Sequence, residues 1–113
     1  MNTASGSLAS VTGGEGNTAN VLYASVTGGT SNTASGYFAS VTGGSGNLAG
    51  GESSSITGGA LNATSLLAGH GALAASITGG FQNTTGGNYT VVLGGANVTD
   101  NKDNSIAPQP PFP

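Results

Sequence analysis

The chain has 113 residues, of which 22 are glycine and only 4% are charged. Its apolar content is mostly Ala and Val, which bury little area each, so an ordinary packed globule is excluded and any core must be thin and built from many small contacts. A net charge of -3 with Lys102 as the sole Lys or Arg gives no basic face for nucleic acid, and the lack of Cys excludes disulfides and thiolate metal centres. No apolar run approaches the roughly 18 residues of a membrane span, and Met1 leads into no signal-peptide pattern.

The consensus Asn-Thr-Ala-Ser-Gly-x-x-Ala-Ser-Val-Thr-Gly-Gly-x-x starts at Asn2, Asn17, Asn32, Asn47 and Asn62, each 15 residues after the last. The fifth copy is longer, with 21 residues from Asn62 to Asn83, and the sixth runs from Asn83 to Asn97 at the original length. A disordered Gly- and Ser-rich linker has no reason to keep a β-branched residue at one place in every copy, whereas stacked coils do. The period predicts about six coils over residues 1–97.

Within each copy the segments around Thr-Ala and Ser-Val alternate, as half-buried strands do. Ala4, Ala9 and Val11 are expected inward, and Thr3, Ser5, Ser10 and Thr12 outward. Gly6 and the Gly13-Gly14 pair mark turns that need positive φ or close backbone approach. A hairpin meander uses similar punctuation but gives no reason for the same residues to return at a fixed period. In a parallel solenoid each strand meets its own counterpart about 4.8 Å further along the axis. The expected fold is therefore all-β, a parallel β-solenoid with two short strands per coil. Its inner ladder is Val11, Val26, Val41, Ile56, Ile77 and Val92, all β-branched. A second ladder, Asn2, Asn17, Asn32, Asn47, Asn62 and Asn83, is read as structural, with amides hydrogen-bonded from coil to coil.

Two places break the pattern. The six-residue insertion in the fifth copy is rich in leucine, with Leu66, Leu67 and Leu73, and is expected to bulge out to meet a neighbouring subunit or hold a ligand. His70 within it has no second His, Cys or paired carboxylate nearby, so a metal or catalytic role is not expected. In the sixth copy Val91 and Leu93 stand where earlier copies have Ser and Thr, which calls for a cover over this apolar pair. Residues 98–113 depart from the consensus and end in a Pro-rich extended tail, read as a cap on the last coil or an arm to a neighbouring chain. The first coil shows no cap, so end-to-end association into a filament is a further expectation.

The run Asn32-Thr33-Ala34-Ser35-Gly36, followed by Ala39-Ser40-Val41-Thr42-Gly43-Gly44, resembles the head repeats of YadA-like trimeric autotransporter adhesins. The resemblance covers residues 2–97 and is clearest in the first three copies. The period here is one residue longer than the family's common repeat, and no stalk, neck or membrane-anchor segment follows. What the resemblance implies is a left-handed β-roll, three chains packed side by side and an adhesive role at a cell surface. The residues add their own argument for a trimer, because a single roll lined with Ala, Val and Gly buries little area against the ordering of so much glycine. Leu8, Tyr23 and Phe38 share one position in successive copies and form a candidate subunit contact.

Catalysis is not expected, because Glu15, Glu52, Asp100 and Asp103 are scattered and nothing converges on a pocket. The segment from Asp100 to Asn104 lacks the spacing of a calcium loop, and the Gly-rich turns lack the Lys-Ser and helix of a phosphate loop. No cofactor or metal is expected. The Asn-x-Thr sequons at Asn62, Asn83, Asn88 and Asn97 are a chance product of composition. The outward pairs Ser10/Thr12, Ser25/Thr27, Ser40/Thr42, Ser55/Thr57 and Ser76/Thr78 form a regular hydroxyl ladder. That ladder resembles those of ice-binding β-solenoids, some with coils of the same length and Thr-x-Thr pairs, although Ser replaces the first Thr here. The sequence thus reads as a homotrimeric, non-enzymatic structural or adhesive element of an extracellular surface assembly, either an adhesin head or a viral or phage spike or fibre. Ice binding is the alternative. Nucleic-acid binding and membrane insertion by this chain are not expected.

Overall fold

Each coil holds two alternating runs too short for a long strand, and the chain uses them as two-residue strands whose partners lie in the neighbouring coils. The computed structural model describes residues 1–64 and 72–108, and no helix occurs among them. One sheet contains, in order, β1 (Thr3–Ala4), β3 (Thr18–Ala19), β5 (Thr33–Ala34), β7 (Leu48–Ala49), β9 (Ala63–Thr64), β11 (Thr84–Thr85) and β13 (Thr99–Asp100). The other contains β2 (Ser10–Val11), β4 (Ser25–Val26), β6 (Ser40–Val41), β8 (Ser55–Ile56), β10 (Ser76–Ile77), β12 (Val91–Val92) and β14 (Ile106–Ala107). All pairings are parallel and in register, Val26 with Val41 and Val41 with Ile56 for example. The fold is a β-solenoid with a period of 15 residues, and the register survives the insertion, across which Ile56 pairs with Ile77. A turn of each coil also pairs, through single-residue parallel bridges running Glu15, Thr30, Ser45, Ala60, Phe81 and Ala96.

The solenoid has seven coils, one more than the consensus predicts, because the segment after Asn97 keeps the period while changing its residues. Thr84 pairs with Thr99 and Val91 with Ile106. Val98 takes the place of the ladder Asn, and its N–H still donates to Asn83 Oδ1 at 2.9 Å. What the seventh coil needs is a backbone that follows the sixth, not the consensus side chains. The Pro-rich tail beyond Pro108 and the insertion residues Leu66, Leu67 and His70 lie outside the described residues.

The core is closed within a single chain. Val26, Val41, Ile56, Ile77 and Val92 are at most 1% exposed, stacked with Ala19, Ala24, Ala34, Ala39 and Ala49. Ala4 is exposed and Val11 half-buried only because the first coil has a neighbour on one side. Burial of this small core is complete in the inner coils, one small side chain above another.

The Asn ladder works differently from stacked amides. Asn32 Nδ2 donates to the carbonyls of Gly28 and Gly44 at 2.9 and 3.0 Å, while its Oδ1 accepts the Asn47 N–H at 3.0 Å. Asn17, Asn47, Asn62 and Asn83 repeat this set, each fully buried. The side chains therefore bond mainly to backbone, and an amide-to-amide contact occurs between Asn62 and Asn47 at 3.2 Å. Buried peptide groups need partners, and at this corner the Asn amide supplies them.

The glycines of each pair have unequal roles. Gly44 has φ 87°, and a Cβ there would lie 2.1 Å from Gly59 O and 2.6 Å from Asn47 Nδ2. A Cβ at Gly43 would meet nothing within 4 Å. The alanine column of the first sheet also changes character along the axis, from Ala4, Ala19, Ala34 and Ala49 to Thr64, Thr85 and Asp100. Thr64 Oγ1 donates to Ser54 Oγ at 2.8 Å, and Ser54 Oγ donates to Gly51 O at 2.7 Å. Ser54 is ten residues before Thr64; the residue ten before Thr85 is Ala75, which has no hydroxyl. Thr85 Oγ1 is accordingly buried without a partner among the described residues. Asp100 is 7% exposed and accepts from Ser105 Oγ at 2.7 Å and from the Lys102 N–H at 3.1 Å.

Two stability outcomes follow, both measured as urea unfolding midpoints. Gly43→Ala is expected to stay within about 0.5 kcal/mol of the parent, while Gly44→Ala, forced into a left-handed φ and a backbone clash, loses about 3 kcal/mol or more. Ala75→Ser is expected to stabilise by about 1 kcal/mol, its hydroxyl accepting from Thr85 and donating to Ala72 O as Ser54 does one coil earlier.

Candidate functional surface

The face formed by the even-numbered strands carries the hydroxyl ladder. Ser10 and the threonines Thr12, Thr27, Thr42, Thr57 and Thr78 are exposed, and Ser25, Ser40, Ser55 and Ser76 are half-buried. The serines pair in register from coil to coil, so the ladder repeats at about 4.8 Å along the axis and about 6.7 Å from Ser to Thr within a coil. The ladder ends at the sixth coil, where Val91 is half-buried and Leu93 is 51% exposed. The seventh coil continues this apolar end with Ile106, in register with Val91. A hydroxyl surface over five coils thus adjoins an apolar surface over two.

The corner leading into this face carries Leu8, Tyr23 and Phe38, which are 70%, 47% and 51% exposed. All three have φ of 56–58°, a left-handed conformation that is uncommon outside glycine. Each is the third residue of a tight turn closed within its own coil, by the N–H groups of Ala9, Ala24 and Ala39 donating to the carbonyls of Gly6, Val21 and Gly36 at 3.1 Å. The Tyr23 and Phe38 N–H groups also donate to Ser7 O and Leu22 O of the preceding coil at 3.0 and 3.1 Å. The same conformation recurs at Ser53, Ala74, Tyr89 and Asn104. Because the corner repeats with the coil, the rings of Tyr23 and Phe38 come to lie parallel, with centroids 5.0 Å apart and planes at 11°. The register predicts this alignment, but the left-handed backbone carries no residue signal, since Leu, Tyr and Phe are not residues that favour it.

Leu73 is half-buried, and its N–H donates to Asn88 Oδ1 at 2.9 Å. The sequon residues Asn62 and Asn83 are fully buried, whereas Asn97 is exposed. Glu15, Glu52 and Asp103 are exposed and lie on different coils. No group of three or more His, Cys, Asp or Glu side chains comes together among the described residues.

The geometry defines a repeat protein whose distinctive chemistry is arranged in axial lanes: a hydroxyl lane, an apolar corner and an apolar end. Compared with protein-family models, curated proteins and solved structures, the chain shows no match to any of them.

Proposed function

We propose that this chain is a self-associating structural or adhesive element of an extracellular surface assembly, an adhesin head or a spike or fibre on a cell surface or virion. The observation that carries this reading is the corner strip of Leu8, Tyr23 and Phe38, exposed on coils whose own core is already closed. Tyr23 and Phe38 already stack on each other, and an apolar strip aligned with the axis of a rod suits packing against like rods. Three rods are the number that the resemblance to adhesin heads implies. The role is mechanical and recognitive, not catalytic: in-register coils give a stiff body, and the outward lanes supply contacts.

The protein is expected to sediment as a trimer, and Tyr23→Ser combined with Phe38→Ser to sediment as a monomer with an unchanged far-UV circular dichroism spectrum. A parent protein that stays monomeric over the accessible concentration range would overturn the reading.

A second reading, ice binding, is favoured by one observation, the regular column of exposed threonines from Thr12 to Thr78 on in-register strands. Freezing hysteresis separates the two. The adhesive reading expects none, and hysteresis abolished by Thr42→Tyr would transfer the hydroxyl lane to ice.

A further inference from the structure

Behind the apolar corner, the outward position that holds Ser5, Asn20 and Ser35 in the first three coils is Gly50 in the fourth. Losing a side chain there lowers the surface beside a neighbouring column, Tyr37, Glu52, Leu73 and Asn88, whose carbonyls accept the corner N–H groups of the next coils. The result is a groove of about 470 Å³ lined by Ser35, Tyr37, Gly50, Glu52, Leu73 and Asn88. This size falls within the usual range for small-ligand sites, about 300–1,000 Å³.

We propose that this groove binds a neutral saccharide, which supplies the ligand class for the adhesive reading above and rests on it. The argument is one of matching groups. Glu52 is an exposed carboxylate, and among the described residues the groove lining holds no basic side chain, Lys102 sitting on the seventh coil, so the lining favours a neutral ligand over an anionic one. A carboxylate accepts hydrogen bonds from paired hydroxyls, as a sugar presents them. Tyr37 is 55% exposed and offers an aromatic surface to the C–H face of a pyranose, with Leu73 as a second apolar wall. Asn88 is held ready: its Oδ1 accepts the Leu73 N–H at 2.9 Å and its backbone N–H donates to Asp103 Oδ1 at 2.8 Å, which leaves the Nδ2 hydrogens as donors for a ligand. Ser35 adds a hydroxyl that both donates and accepts. An apolar peptide would leave Glu52 and Asn88 desolvated without partners, whereas a sugar alternates hydroxyl and C–H groups as this lining does.

The test uses the full chain. Fluorescently labelled protein is applied to a printed array of neutral and acidic glycans, and neutral hits are followed by saturation-transfer NMR. Binding is expected to neutral glycans and not to their sialylated forms, with affinity falling by about tenfold in Tyr37→Ala and in Glu52→Gln while the unfolding midpoint stays unchanged. The proposal is overturned by an array with no neutral hit, by a preference for acidic glycans, or by neutral binding that both variants retain. Oligomeric state is read separately: a trimer without glycan binding removes the groove alone, and a glycan-binding monomer removes the trimer alone.

Discussion

The interaction on which the rest of the structure depends is the buried Asn side chain at the corner of each coil. Two-residue strands hold little by themselves, and a corner with two successive glycines leaves peptide groups facing inward. Asn32 closes that gap by bonding to carbonyls of its own coil and the next, and by accepting the N–H of Asn47. Each such amide ties adjacent coils together without contributing to either sheet. The second glycine of the pair follows from this, since its missing Cβ leaves room for the amide and for the next coil's carbonyl. Asn and Gly at these positions form one device, and the ladder of Val and Ile is held in register by it.

Thinness then becomes workable. A core of Ala, Val and Ile gives up area per residue, but every member from the second coil to the sixth is covered above and below. Toward the C-terminal end the interior admits hydroxyls and finally the Asp100 carboxylate, each needing a specific neighbour. Ser54 meets that need for Thr64 and Ala75 does not meet it for Thr85, so the later coils are less uniform inside as well as outside.

The strands, the parallel pairing and the two ladders were legible in the sequence because they depend on periodic residue types: β-branched residues inward, Asn and Gly at one corner. The seventh coil was not, because Val98, Asp100 and Ile106 keep the backbone path while abandoning the consensus letters. The structural role of the Asn column and its bonds from coil to coil were legible too, but not that most partners are backbone groups, since a column of amides looks alike whether it bonds to itself or to backbone. On the surface, the hydroxyl lane and the strip of Leu8, Tyr23 and Phe38 followed from register alone. The groove beside Tyr37 and Glu52 had only a faint signal, the replacement of Ser or Asn by Gly50, which has meaning once the coils are stacked.

The left-handed corner has a consequence for how such a rod can change. From Leu8 to Asn104 this column accepts an aliphatic residue, two kinds of aromatic ring, a hydroxyl, a methyl and an amide, all in one backbone conformation. Because the conformation belongs to a turn closed by backbone hydrogen bonds in each coil, the side chain is released from any duty to the core. Proline is barred by its fixed φ and missing N–H, and β-branched residues by crowding, but almost everything else is admissible. The corner is therefore a writable margin along an otherwise fixed text, where a lineage can revise what the rod touches without revising how it folds.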